Sequence, residues 1–211
     1  MDRGSVFADR VDAGRRLADA LRDRELGDRV VAGIPRGGVV VAAEVARALG
    51  APLRAVVARK VGAPGHAELA VGAVGPDGVA VIDEQLVRRV GATADFMERA
   101  VAAARAEVDA RVAALPGVLR RADAAGRTVV VVDDGVATGA TAAAVGRWLA
   151  TTDAARRLLA LPVGPPETLA ALRRDYDEVV AVQTPSFFVA VGQWYRDFAQ
   201  VTDEEVARLL G

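Results

Sequence analysis

Hydrophobic and polar positions follow two periods along this chain, and the switches between them mark out its elements. Over residues 6–24 the apolar residues Val6, Phe7, Val11, Ala13, Leu17, Ala18 and Leu21 fall mostly three or four apart, the stripe of an amphipathic helix. Residues 29–35 (RVVAGIP) form a short apolar run stopped by Pro-Arg-Gly-Gly, which reads as a buried strand entering a tight loop, and 39–49 return to helical spacing. The run 52–60 (PLRAVVARK) predicts the next strand. Glycines at 62, 65, 72 and 75, with Pro64 and Pro76, then predict a long loop or hairpin of mobile character over about 61–78. A short strand over 79–82 precedes a helical insertion over about 84–115, whose long helix, 92–115, carries Phe96, Met97, Ala100, Val101, Ala104, Val108, Val112 and Leu115 on one stripe.

The second half alternates more regularly. Residues 128–132 (TVVVV) are β-branched throughout, the composition of a strand buried on both faces in a parallel sheet. A helix over 140–150, a strand over 158–163, a helix over 166–173 and a strand over 178–183 follow. The tail, 184–211, closes with a short helix opened by Thr202-Asp203-Glu204-Glu205. Strands alternating with helices predict an α/β fold, a doubly wound parallel sheet, as a single domain over 1–211.

Composition narrows what such a fold does. With 211 residues, 52% of them hydrophobic and 26% charged, the chain has material for a real core. A net charge of -1 argues against a nucleic-acid partner, which calls for a basic excess. No apolar run reaches membrane-spanning length and the first ten residues hold no apolar signal core, so the expectation is a soluble, cytoplasmic protein without a membrane partner. Cysteine is absent and His66 is the lone histidine, which removes thiol chemistry, disulfides and His-rich metal centres. Lys60 is the one lysine beside 26 arginines, and a lysine kept amid so much arginine points to chemistry that a guanidinium cannot perform.

Chemistry concentrates in 129–141, VVVVDDGVATGAT. A buried strand there delivers Asp133 and Asp134 to its C-terminal end, the edge of an open α/β sheet at which ligands bind. Residues 135–141 are small, hydroxylated and glycine-containing, and they open a helix, so their N–H groups and the hydroxyls of Thr138 and Thr141 suit an anion at the positive end of the helix dipole. An acid pair beside a phosphate cradle fits a ligand with vicinal hydroxyls next to a phosphate, such as a ribose 5-phosphate. A Walker loop would need Gly-Lys-Ser/Thr and a dinucleotide fold G-x-G-x-x-G, and neither is present.

On these residues the chain resembles the type I phosphoribosyltransferases, whose fingerprint for 5-phosphoribosyl 1-pyrophosphate (PRPP) runs as four apolar residues, two acids and a loop ending T-G-x-T. Gly-Ile-Pro-Arg-Gly-Gly (33–38), Arg-Lys-Val-Gly-Ala-Pro-Gly (59–65) and the C-terminal segment are similar to a bacterial group of predicted phosphoribosyltransferases. The resemblance implies a five-stranded parallel sheet with a small hood, the tail 184–211 forming the base side. It implies that Asp133 and Asp134 hold the ribose hydroxyls, that Ala137, Thr138, Gly139, Ala140 and Thr141 wrap the 5-phosphate, and that Arg36 and Gly37 meet pyrophosphate. Arg59 and Lys60 would act before a mobile catalytic loop that also holds His66 and Glu68. Phe188 and Val189, with Trp194 as a second candidate, would contact the base.

The implied reaction is transfer of the phosphoribosyl group to a nitrogen nucleophile, a nucleobase-like acceptor, in nucleotide salvage. Mg2+ would be the cofactor, carried mainly on substrate oxygens and water with no direct protein ligand predicted, and a homodimer is a further expectation. Members acting on 6-oxopurines place an Asp where this chain has Ala137, as adenine-type members do, so the proton acceptor would lie elsewhere, Glu68 being one candidate. A non-catalytic PRPP sensor would need a basic patch, for which Arg120, Arg121, Arg156, Arg157, Arg173 and Arg174 are the available residues. A phosphohydrolase or lyase on the same cradle would release product without an acceptor.

Overall fold

The computed structural model describes residues 7–211, with the side chains of residues 67 and 68 excepted. Helix α1 (Arg10–Leu21) starts where the Asp9 carboxylate accepts from the Asp12 amide at 2.8 Å, and it buries Ala13, Leu17, Ala18 and Leu21. Val6, the first position of the expected stripe, lies outside the described residues. Strand β1 (Arg29–Gly33) leads into α2 (Gly37–Leu49), and β2 (Leu53–Ala55) follows.

The run 52–60 is not one strand. It contributes β2 to the main sheet and then, after Val56, Val57 and Ala58, supplies the start of β3 (Arg59–Ala63) in a second sheet. Burial of those three connecting residues is what makes the run look continuous. Strands β3, β4 (His66–Val74) and β5 (Ala80–Ile82) form a three-stranded antiparallel sheet in that order, so the segment expected as a mobile loop or hairpin is the hairpin. Two of its glycines are packing positions: a Cβ at Gly72 would come 2.6 Å from Ile82 Cδ1, and one at Gly75 would overlap the Trp148 indole. The helical insertion divides at Gly91 into α3 (Glu84–Arg89) and α4 (Ala94–Ala114), the latter capped by Thr93.

After the short α5 (Arg121–Ala124), the chain alternates through β6 (Thr128–Val132), α6 (Ala140–Leu149), β7 (Arg156–Val163), α7 (Pro166–Leu172) and β8 (Glu178–Gln183). A 3-10 turn (Val191–Trp194) and α8 (Asp203–Leu210), opened by the Thr202–Glu205 capping box, complete the tail.

The main sheet is five-stranded and parallel, in the order β2-β1-β6-β7-β8. Every residue of β6 is buried. Because strand side chains alternate between faces, Val129 and Val131 pack with Trp148, Leu149, Leu169 and Leu172 on one side, while Val130 and Val132 meet Leu17, Leu21, Val41 and Val45 on the other. Helices therefore cover both faces, as a doubly wound sheet requires. A third apolar cluster joins the small sheet to α4 and α8 through Val61, Val71, Val74, Val108 and Val206.

Candidate active site

Strand β6 ends at Val132, so Asp133 and Asp134 emerge at the C-terminal edge of the middle strand. Its neighbour β1 runs in register, Gly33 beside Val132, and the Ile34 amide donates to the Val132 carbonyl at 2.8 Å. The acid pair and the 34–37 loop thus leave adjacent strands side by side. The Pro35–Arg36 peptide is cis. Gly37 is required by proximity: a Cβ there would fall on the Asp134 carboxylate and lie 2.6 Å from Arg10 Nε, and one at Gly38 would come 2.9 Å from Asp133 Oδ1.

The pair is held from several sides. The Asp134 amide donates to Asp133 Oδ1 at 2.9 Å, Arg10 Nε donates to Asp134 Oδ2 at 2.8 Å, and the Tyr195 hydroxyl donates to the Asp134 carbonyl. Burial raises the Asp133 carboxyl well above the usual range, and the adjacent Asp134 charge pushes in the same direction. Burial also raises Asp134, against the opposing hydrogen bond and charge of Arg10. Two partly buried carboxylates at a strand-end edge, with pKa values displaced upward, make this the candidate site.

Beyond them the loop to α6 turns at Gly139, whose φ of 70° is a left-handed value that favours glycine. Glycine also brings no side chain to cap α6; the Ala140 amide makes only a long 3.5 Å contact to the Thr138 hydroxyl, so the first turn is open to an anion. The Thr168 hydroxyl steadies this loop by donating to the Ala137 carbonyl at 2.8 Å, while Thr138 and Thr141 are exposed.

A cavity of about 770 Å³ opens onto the pair. It gathers Arg36, Gly37, Arg59, Asp133, Asp134 and Thr141 of the expected site residues, and it adds Arg10 and, from α4, Glu107 and Arg111. Arg59 pairs with Glu107, and Arg111 with Asp203 on α8. Lys60 sits one residue farther along β3, half-buried opposite Ala73 and outside the cavity lining. Ala137, Thr138, Gly139 and Ala140 flank the cavity in the α6 loop without lining it. His66 begins β4 and is exposed; the Glu68 side chain is outside the described set.

The aromatic tail adjoins the pair from a different side. Phe188 and Trp194 stack with centroids 6.4 Å apart, Phe187 and Val189 are exposed, and none of the four lines the cavity. The tail meets the acid loop at Val191, which a Cβ at Gly135 would approach to 2.7 Å. Of the arginines available for a basic patch, Arg121, Arg156 and Arg157 are each paired with an acid.

Arg10, like Glu107 and Arg111, is a cavity residue that sequence reasoning missed. It lies on the expected first helix, but its partners, Asp134 and the Ala199 carbonyl, are 124 and 189 residues away. No local spacing carries such a signal.

A doubly wound sheet that brings a paired-acid strand end, an uncapped helix loop and an Arg-Gly-Gly turn to one edge is the architecture of the type I phosphoribosyltransferases. The family model for the phosphoribosyl transferase domain matches residues 5–199, and the chain belongs to that family. The crystal structure of TT1426 from Thermus thermophilus is similar over 97% of each chain, at 44% identity and a TM-score of 0.89. Rv0571c of Mycobacterium tuberculosis H37Rv and MT0597 of strain CDC 1551, both named provisionally as phosphoribosyl transferases, are each 43% identical over 205 residues. Those matches cover 97% of this chain and 46% of each relative, so the chain spans about half the length of the curated relatives it matches. Among the described residues no helix is long and apolar enough to cross a membrane.

Proposed function

We propose that this chain transfers a 5-phosphoribosyl group from PRPP to a nitrogen nucleophile of nucleobase type, releasing pyrophosphate with the help of Mg2+. The observation that carries the reading is the pair Asp133–Asp134 at the end of β6, directly beside the uncapped start of α6. A ligand bearing neighbouring hydroxyls and a phosphate answers both features at once.

On this reading the carboxylates accept hydrogen bonds from the ribose hydroxyls, and their charge stabilises the ring as it turns cationic. Ala137, Thr138, Gly139, Ala140 and Thr141 offer amides and hydroxyls to the 5-phosphate. Arg36, Gly37 and Arg59 face the leaving pyrophosphate, and Lys60 adds positive charge from β3. The bond from ring carbon C1 to pyrophosphate oxygen breaks while the incoming nitrogen bonds from the opposite face, so configuration inverts, the electron pair leaves with pyrophosphate, and the proton shed by the nitrogen passes to solvent water. The chain contributes mainly placement and preorganised charge. Phe188, Val189 and Trp194 offer the base a stacking surface across the acid loop.

Mg2+ is a hard cation that takes oxygen ligands. The described residues hold no group of three or more His, Cys, Asp or Glu side chains arranged for a metal. The cavity wall carries Arg10, Arg36 and Arg59, which suit a polyanion that arrives with its own ion. The residues present therefore fit Mg2+ carried on PRPP oxygens and water, where it neutralises charge on the leaving group.

Calorimetric titration with PRPP, with and without Mg2+, tests the reading on wild type and on Asp133→Asn/Asp134→Asn. Micromolar, Mg2+-dependent binding that the double variant loses is the expected outcome, after which pyrophosphate release identifies the acceptor. Wild-type protein that binds no PRPP overturns the assignment.

A further inference from the structure

The guanidinium of Arg10 is engaged on three sides. Nε donates to Asp134 Oδ2 at 2.8 Å, Nη1 donates to the Ala199 carbonyl at 2.7 Å, and the carbon between them lies 3.9 Å from the centre of the Phe198 ring. Its side chain is 12% exposed and that of Asp134 16%, so this contact is shielded from water and far more consequential than a surface ion pair. Three segments distant in sequence converge here: the first turn of α1, the end of β6, and the tail at 198–199.

We propose that Arg10 is a positioning residue for the acid pair, orienting the Asp134 carboxylate for the ribose hydroxyls while Phe198 and Ala199 hold Arg10 in place. The inference rests on the PRPP reading above, and it concerns how Arg10, at the cavity wall, acts through Asp134. One carboxylate oxygen is committed to Arg10, so the guanidinium fixes the plane of the group and which oxygen faces the cavity. The positive charge also offsets two adjacent carboxylates in a site that must admit a polyanion. Without it both acids would be harder to ionise, because Arg10 lowers the pKa of each. The other charged groups facing the cavity are Arg36, Arg59 with Glu107, and Arg111 with Asp203. The nearby Tyr176 and Tyr195 hydroxyls are pushed up by burial and stay neutral throughout the working range.

The test is PRPP titration in the presence of Mg2+ across pH 5–9, on wild type, Arg10→Lys, Arg10→Met, Phe198→Leu and the Arg10→Met/Phe198→Leu double variant. A carboxylate-directed hydrogen bond of this kind corresponds to a loss of about 10-fold or more in affinity for Arg10→Met. Because removing the cation raises both carboxyl pKa values, the acid limb of binding should move to higher pH. Arg10→Lys should recover much of the affinity, and Phe198→Leu should weaken binding in wild type but add nothing in the Arg10→Met background. Wild-type affinity and an unmoved acid limb in Arg10→Met would overturn the proposal, as would Lys performing no better than Met or Phe198→Leu acting additively.

Should Arg10→Met fail to fold, the comparison of Arg10→Lys with Phe198→Leu still decides, since positioning requires both to shift the acid limb in the same direction. The carboxyl titration of Asp134, followed by carbon NMR without ligand, separates the two readings. An upward shift in Arg10→Lys or Arg10→Met supports Arg10 even where PRPP fails to bind, while an absent shift counts against Arg10 alone.

Discussion

Asp133 is held where its charge is unwelcome. Burial first, and then the neighbouring Asp134, raise its carboxyl well above the usual range. A carboxyl whose pKa rises on folding binds more protons folded than unfolded, so ionising it works against the fold. That penalty is absent below the ordinary carboxylate range, about pH 4, and grows as pH climbs through the raised value. Asn at this position keeps an oxygen for the Asp134 amide and removes the charge. Asp133→Asn is therefore expected to melt higher than wild type at pH 7–8, by roughly 1 kcal/mol or about 2–4 °C for a chain this long, and to lose the advantage towards pH 4. Scanning calorimetry at both pH values checks it; a gain independent of pH would contradict the argument. The same substitution should weaken PRPP binding, the trade of stability against function expected of a working residue.

At the scale of elements, the turn between β4 and β5 ties the small sheet to α6 and α5. Gly75 admits the Trp148 ring of α6, Trp148 Nε1 donates to Asp77 Oδ1 at 3.0 Å, and Asp77 also pairs with Arg121, the first residue of α5. Burial pushes the Asp77 carboxyl up, but hydrogen bonds from Trp148, Val79 and Arg121 outweigh it and hold the pKa below the usual value. A depressed pKa contributes stability above the unfolded value, near pH 4, and loses it as pH falls through the folded value. Asp77→Ala should cost about 1–3 kcal/mol at pH 7, with the gap to wild type narrowing as acid titrates the depressed carboxyl, as urea titrations across the acid range would reveal.

This turn also shows what the sequence could and could not convey. The five parallel strands were legible because burial on both faces writes unbroken apolar runs such as 128–132. Gly72 and Gly75 read as looseness, yet they exist for close packing against partners that only the tertiary structure supplies. The break inside 52–60 was hidden for the reason that buried connectors look like strand. The acid pair and its loop were visible as a contiguous motif, whereas Arg10, joined to them across most of the chain, was not.

At the scale of the whole molecule, both flanks of the described chain fold onto one site. Phe7 donates its amide to the Trp194 carbonyl at 2.7 Å, the Arg196 amide returns a bond to Phe7 at 2.9 Å, and the rings of Phe7, Tyr195 and Phe198 pack in series up to Arg10. The remaining charge is balanced locally, with acids and arginines paired over the surface and a net charge of only -1. Apart from these flanks stands the shared base of the two ligand loops, where the Ile34 amide bonds to Val132 and the Val56 amide to Gly33 at 2.9 Å. Because that ladder continues to the last residue before either loop, opening it means tearing the middle of the sheet. In deuterated water the Ile34 amide should exchange only through global unfolding, tracking the denaturant dependence of whole-chain stability, while the amides of 138–140 exchange by local fluctuation. Substrate would then slow the second set and leave the first unmoved, making Ile34 an internal clock against which every motion of the site can be timed.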